Sequence, residues 1–250
     1  MKAFRVNILS LAGLGLLSTA MLVAPLSLGE GIRPDADRKA PACLLIEPVI
    51  CRSSEGKEPA VSRLDRKAIE SVYAQANIQI AWLQPRYLDH TAARDGTANW
   101  KKVSKIGKER GLWESGPIRI SLVFVNAIGG KPGPRGLGAI DSRPGRPFGP
   151  GGPICIVALP KKQKDPVMET FCVAHEIGHC LGLVHAVKDP LVPDNKTNIM
   201  SGGEYSERIG KNALTPSHIR QVRKSKLLWR RCVAELGGAK SSHTRSSKKQ

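Results

Sequence analysis

The sequence predicts an α+β fold in which a twisted sheet is combined with several helices. Short apolar or alternating runs, typical of strands, occur between longer segments that have the 3.6-residue apolar period of helices. The chain has 250 residues and is 41% hydrophobic, which suffices for one well-filled core and excludes wholesale disorder. Its 25 glycines and 18 prolines have no Gly-X-Y period, so collagen is excluded and a loop-rich body is expected.

The first 29 residues have the pattern of a secretory signal peptide. Lys2 and Arg5 precede an uncharged apolar run over 8–24, and small residues suited to signal peptidase lie within and after that run. An uncleaved anchor is the alternative, because the run approaches the roughly 20 residues of a membrane span. The Ser, Thr and Gly content of the run favours a cleaved signal peptide, 1–29, over an anchor. We therefore expect a secreted or periplasmic protein without a membrane span after signal removal.

The next part of the chain predicts an irregular arm, a helix and two strands. Residues 30–60 are rich in proline and charge and are expected to form an N-terminal arm. Ser62, with Asp65 three positions later, predicts a capping box for a helix that ends near Asn77. Alternation of apolar residues then predicts two strands, 78–82 and 118–124. The polar stretch between these strands is ambiguous.

The remainder predicts an edge strand, a buried strand and two helices. Between Gly129 and Gly152 the composition shifts to Gly, Pro and Arg, and a short extended edge strand fits there only at Leu137, Gly138, Ala139 and Ile140. Apolar residues on both faces of 154–159 predict a strand covered on two sides. The helices are expected over 167–181 and, from the N-cap Thr215 and Pro216, to about residue 237. Residues 238–250 are expected to be a disordered basic tail.

Six cysteines in an exported chain are first interpreted as disulfides. Cys43 and Cys51 enclose a short apolar segment and form the expected local pair. Cys172 and Cys180 lie on one predicted helix, about 12 Å apart along its axis, so they cannot bond each other. Each then pairs with Cys155, with Cys232 or with a cysteine nearer the N-terminus, and the sequence leaves this choice open. A zinc knuckle is disfavoured because no CxxC occurs.

The predicted helix 167–181 carries a metal-binding pattern. His175 and His179 are four residues apart, so both imidazoles lie on one helical face and can reach one ion. Glu176 lies beside them, where its carboxylate can reach a water on that ion. Gly182 suits the positive φ at the end of the helix, which lets the chain return His185 as a third ligand. Three histidines leave a fourth position for water, which is the catalytic arrangement for Zn²⁺.

This pattern is specific. At the chain's own composition, HExxH followed by Gly and His at these offsets arises by chance in roughly one such sequence in fifty thousand. A core helix with histidines bonded to backbone carbonyls is the alternative. It is disfavoured because three histidines and one glutamate are too many polar groups to bury without a reason.

The string His175–His185 resembles the HExxHxxGxxH signature of the metzincin zinc metalloproteases at every defined position. Asn198-Ile199-Met200-Ser201 resembles their Met-turn, with Met200 under the metal. The resemblance implies a metzincin-like zincin, with a mixed sheet, an active-site helix and a small C-terminal subdomain that ends in a helix. It implies a catalytic domain over 61–237. The residue after the third histidine is Ala186, which leaves the family within the group unresolved.

The predicted activity is that of a secreted zinc-dependent endopeptidase. His175, His179 and His185 are the metal ligands, and Glu176 is the general base that activates the water and then protonates the leaving nitrogen. The resemblance implies that an extended protein or peptide substrate pairs with the edge strand Leu137–Ile140. A secreted basic zinc-containing binding module without proteolytic activity is the alternative, although a purely metal-binding site needs no Glu176.

The formal net charge of +18 points to acidic partners but not to a fold. Basic residues of the tail favour loose attachment to an anionic cell surface or polymer: Lys240, Arg245, Lys248 and Lys249. Specific nucleic-acid binding is not expected, because no aromatic residues interleave with the charges and no reader motif occurs. We expect a monomer.

Overall fold

The computed structural model describes residues 40–97, 100–113, 118–132, 135–140, 152–162, 166–186, 198–201, 213–229 and 232. These lie in the second of the two units into which the chain divides, Asp37–Gln250. The predicted signal peptide 1–29 and the predicted tail 238–250 lie outside the described residues. No described helix is both long enough and apolar enough to span a bilayer.

The elements alternate between strands and helices along the described chain. The strands are β1 (Ala42–Arg52), β2 (Ile78–Trp82), β3 (Arg86–Asp89), β4 (Ile120–Val125), β5 (Ala127–Ile128), β6 (Lys131–Pro132), β7 (Arg135–Ile140), β8 (Ile154–Ala158) and β9 (Leu228–Trp229). The helices are α1 (Arg66–Ala74), α2 (Thr91–Arg94), α3 (Trp100–Glu109), α4 (Pro166–Cys180) and α5 (Pro216–Val222). The ambiguous stretch before β4 thus contains β3, α2 and α3.

The main sheet is mixed, as predicted. Its order is β2-β1-β4-β8-β7, and β3 and β9 also pair with β1. The pairs β1–β2, β1–β3, β1–β4 and β4–β8 are parallel. The strands β7 and β9 pair antiparallel with β8 and β1. Among the described strands, β7 therefore lies at one edge of the sheet, where it pairs with β8, in agreement with its prediction as an edge strand.

The prediction of irregular structure over 30–60 is wrong for residues 42–52, which form β1, an interior strand of the sheet. Its proline and charge are accommodated inside the sheet. Glu47 is buried, and its carboxylate accepts a hydrogen bond of 3.0 Å from Arg119 Nε. Pro48 lies opposite Leu122 of β4 in the parallel register. The charge of Glu47 indicated solvent exposure, but a partner 72 residues away in the sequence keeps it inside.

The helix α1 is shorter than predicted at its N-terminus. Its N-cap is Asp65, whose carboxylate accepts a hydrogen bond from the Ala68 amide, so the capping box expected at Ser62 is wrong. Asn77 has a φ of 54°, which is the left-handed conformation expected after the helix. The strand β2 follows directly, within its predicted bounds.

The C-terminal helix is also shorter than predicted. Thr215 caps α5 and Pro216 occupies its first turn as expected, but the helix ends at Val222. Leu228 and Trp229, expected on a continuing helix, instead pair with β1 as β9. The disulfide of Cys43 with Cys232 lies beside this pairing.

The Cys43–Cys51 pairing is wrong. Both cysteines lie on β1, eight residues and hence about 26 Å apart along the strand, so they cannot bond each other. Cys43 bonds Cys232 across 189 residues. The other cysteines form no disulfide: Cys51, Cys155, Cys172 and Cys180. Cys172 and Cys180 do not bond each other, as expected, but the prediction that each pairs with another cysteine is wrong.

The sheet is covered on both faces. One core cluster includes Tyr73 of α1, Ile177 of α4, and Leu122 and Phe124 of β4. The other core cluster includes Val103 and Ile106 of α3 and, from β4, Val123, which lies between Leu122 and Phe124 and faces the opposite side of the sheet. This explains why β4 and β8 are buried along their whole length, as the sequence indicated for 154–159.

Candidate metal centre

The helix α4 carries His175, Glu176 and His179 and is buried along most of its length. It packs against β7, β8 and α1. The buried Tyr73 of α1 donates a hydrogen bond of 2.7 Å from its hydroxyl to the Ala174 carbonyl oxygen of α4. Contacts with sheet and helix on separate sides thus fix the orientation of the residues that precede His175.

The end of α4 has the hydrogen-bond pattern of a Schellman motif. The Leu183 amide donates to the Gly178 carbonyl at 2.9 Å, and the Gly182 amide donates to the His179 carbonyl at 3.0 Å. Gly182 has a φ of 94°, a conformation that residues with a Cβ rarely adopt. The chain therefore reverses at the glycine for which the sequence predicts this role, and it returns toward the helix.

This reversal brings His185 to the two histidines of α4. One ligand-capable nitrogen from each of His175, His179 and His185 lies within 4.8 Å of the other two. The Nε2 atoms of His179 and His185 are 3.1 Å apart. The structure therefore brings together all three predicted ligands. Among the residues that the structure describes, they form the one such cluster of potential metal ligands.

The ring nitrogens of two of these histidines are oriented by backbone carbonyls. His175 Nδ1 lies 2.7 Å from the Ile199 oxygen, and His179 Nδ1 lies 2.9 Å from the Leu183 oxygen. Because a carbonyl oxygen only accepts, each Nδ1 carries the proton and donates. The Nε2 atom of each of these two rings then carries the lone pair that can bind a metal.

The electrostatics also suit a metal. Burial, followed by the proximity of His179, lowers the pKa of His175 to about 4, so this imidazole is neutral at pH 7. Neutral imidazoles with fixed orientation are the ligands that Zn²⁺ takes in three-histidine sites. The donor set of this site therefore fits zinc.

Met200 lies beneath α4 in a described segment of four residues, 198–201. It is fully buried, and its sulfur lies 2.8 Å from the position that a Cβ on Gly178 would occupy. The Ala186 amide donates to the Met200 carbonyl at 2.8 Å. The segment thus contacts the helix, the oriented ring of His175 and the residue after His185.

Glu176 is buried beside the triad and is covered by β7. Burial raises the pKa of its carboxyl to about 7, although a hydrogen bond from the Gly138 backbone lowers it in part. The predicted edge residues Leu137, Gly138, Ala139 and Ile140 all lie in β7, so the structure places this strand against the glutamate. Sequence reasoning did not identify Gly136 as a site residue. The signal in the sequence is that Gly136 and Gly138 are two positions apart, so one face of the strand carries no side chain at either position.

No protein-family model matches this chain, and no curated protein matches it. Among solved structures, metalloproteinase-II from Bacteroides fragilis is similar at 15% identity and a TM-score of 0.46, with 73% of this chain and 52% of that chain covered. This chain thus spans about half the length of that protein. Archaemetzincin from Methanopyrus kandleri is similar at 15% identity and a TM-score of 0.38, with 78% and 91% of the two chains covered.

Proposed function

We propose that this protein is a zinc-dependent endopeptidase of the metzincin type, with His175, His179 and His185 as the zinc ligands. The observation that carries the proposal is the convergence of three imidazoles, two of them with Nδ1 bonded to a carbonyl, directly beside a buried glutamate. A purely structural zinc site takes four protein ligands, whereas three leave a position for a reacting group. Met200 supports the ligand segment from below.

Bound zinc supplies a Lewis acid that lowers the pKa of water and polarises a carbonyl. Glu176 is the general base: it removes a proton from the attacking water and then delivers that proton to the leaving nitrogen. In the metal-free protein, burial raises the pKa of this carboxyl from 4.5 to about 7. Burial thus favours the protonated form, which is the form that delivers the proton to the leaving nitrogen.

The substrate is an extended segment of protein that pairs with the outer edge of β7. Within the described part of the chain, β7 pairs only with β8, so its other edge is available for main-chain hydrogen bonds. A segment bound along Leu137–Ile140 runs past Glu176, because this strand covers the glutamate. These four residues are the proposed substrate-binding residues.

We further propose that the enzyme acts outside the cytoplasm as a monomer, after removal of residues 1–29. The Cys43–Cys232 disulfide supports this compartment, because such bonds persist in oxidising environments. The catalytic domain proposed at 61–237 must also include β1, since that strand pairs with four others. Its C-terminal part, with α5, is the proposed small subdomain.

The test uses purified chain 30–250 and measures zinc content and cleavage of an unfolded protein. We expect one zinc per chain, cleavage that a chelator stops, and recovery with added zinc. Glu176→Gln should retain zinc and lose cleavage, whereas His179→Ala should lose both. Glu109→Gln is the matched control, because Glu109 is an exposed residue of α3.

Two results would contradict the proposal in different ways. Zinc binding by the wild type without cleavage of any protein would favour the alternative of a secreted binding module. Full cleavage by Glu176→Gln would exclude Glu176 as the base while leaving the metal site in place.

A further inference from the structure

The carboxylate of Glu176 lies against two glycines of β7. A Cβ added to Gly136 would lie 2.2 Å from Glu176 Cγ and 2.5 Å from Oε1. A Cβ added to Gly138 would lie 2.8 Å from Oε2 and 2.5 Å from the Glu176 carbonyl oxygen. Real Cβ contacts are not this short, so neither position accepts a side chain while Glu176 keeps its present rotamer.

The pairing of β7 with β8 is irregular at this point. Leu137 lies opposite Ile156 and Ile140 lies opposite Ile154, so β7 takes three steps where β8 takes two. An extra residue of this kind is a β-bulge, which leaves backbone groups outside the ladder and redirects them. The irregularity includes Gly138.

The redirected backbone meets the glutamate. Gly138 donates a backbone hydrogen bond to the Glu176 carboxylate. The same glycine also lies close to the next turn of α4, because its Cβ would be 2.8 Å from His179 Cβ. The bulged strand thus contacts both the glutamate and one of the three histidines.

We propose that Gly136 and Gly138 are positioning residues for Glu176: their missing side chains leave the space that its carboxylate occupies, and the bulged Gly138 amide fixes that carboxylate beside the histidine triad. Neither glycine transfers a proton itself, and the proposed effect of both on the reaction is exerted through Glu176. The inference rests on the proposed function only where activity is concerned, since the contact between strand and carboxylate exists independently of any substrate.

A general role of the glycines in strand flexibility explains these contacts less well. Gly129 and Gly130 form the turn between β5 and β6, and an added Cβ at either position would have nothing within 4 Å. At Gly136 all three of the nearest atoms belong to the Glu176 side chain, and at Gly138 they belong to Glu176 and His179. The space left by the missing side chains is therefore occupied by atoms of α4.

The first test does not depend on activity. In protein labelled with ¹⁵N and ¹³C, the Gly138 amide is assigned by triple-resonance spectra of the wild type and observed with and without zinc. We expect it to be protected from exchange in the wild type and in Glu176→Gln, whose side-chain oxygen still accepts. In Glu176→Ala we expect exchange on the order of tenfold faster. An amide that exchanges equally in all three proteins would overturn the proposal.

The second test separates positioning from packing. Gly136→Ala and Gly138→Ala should keep one zinc per chain while kcat falls on the order of a hundredfold, as for a catalytic group displaced by about 1 Å. Gly136→Ala, which lies outside the proposed substrate-binding residues, should also keep nearly the wild-type KM. Gly129→Ala is the control, since its cost is confined to a positive φ of 59°. An unchanged kcat in both strand variants, or an equal loss in the control, would refute the proposal.

The two tests also distinguish this inference from the proposed function. If the wild type cleaves no protein, the peptidase assignment fails, and the exchange of the Gly138 amide alone decides the positioning role. If either strand variant does not fold, the comparison of Glu176→Ala with Glu176→Gln decides it in the same way.

Discussion

In zinc-free protein, Glu176→Gln should stabilise the fold at alkaline pH. Burial raises the pKa of Glu176 from 4.5 to about 7, and only 7% of the residue is exposed. A folded-state pKa above the unfolded value gives stability that is complete below pH 4.5 and lost as pH rises through 7. Glutamine carries no charge at any pH and can still accept from the Gly138 amide, so the variant avoids this loss.

The magnitude follows from the size of the shift. A change from 4.5 to about 7 corresponds to about 3 kcal/mol at 1.36 kcal/mol per pH unit. The variant should therefore exceed the wild type by about 3 kcal/mol at pH 8, with almost no difference at pH 4. The pKa of His175 is lowered from 6.5 to about 4, so the free energy of unfolding rises with pH between these two values. This rise occurs in the wild type and in Glu176→Gln alike. The difference between them thus isolates the glutamate.

The assay is urea unfolding followed by tryptophan fluorescence, in a chelating buffer at pH 5, 6, 7 and 8. Chelation is required because a bound cation would stabilise the carboxylate. Glu109→Gln, at an exposed position of α3, is the control for the substitution itself. A Glu176→Gln difference that does not grow with pH would refute the assigned burial cost.

Three further changes test the framework around the site. Cys232→Ser removes the bond to Cys43 and should lower the free energy of unfolding by about 2–5 kcal/mol, with no effect of reductant on the variant; reductant sensitivity that persists would contradict this. Tyr73→Phe removes a buried hydrogen bond to α4 and should cost about 1 kcal/mol with zinc content unchanged, so a loss of zinc would contradict a purely supporting role. Glu169→Ala leaves Arg63 without its carboxylate partner and should lower the free energy of unfolding, measured in urea, by about 1–3 kcal/mol. A change near zero would indicate that this ion pair does not stabilise the start of α4.

The helix α4 and its reversal could be predicted because the signals are local. The separation of His175 and His179 fixes a shared helical face, and the need for positive φ at Gly182 fixes where the chain turns. The structure brings His185 to the other two rings, as this spacing predicts.

Elements that depend on distant partners were missed. The composition of the segment with Glu47 and Pro48 indicated irregular structure, yet pairing with strands far along the chain makes it an interior strand of the sheet. Trp229 continued a helical period, but antiparallel pairing with Cys43 places it in a strand. In both places tertiary contacts outweighed local preference.

The sequence by itself determined which residues converge, because three histidines, a glutamate and a glycine lie within eleven positions and one helix with its turn relates them geometrically. Only the tertiary structure decided what surrounds that constellation. The orientation of His175 by the Ile199 carbonyl and the contact of β7 with Glu176 join segments 24 and 38 residues apart. Their proximity follows from how the sheet and α4 pack, which no local spacing specifies.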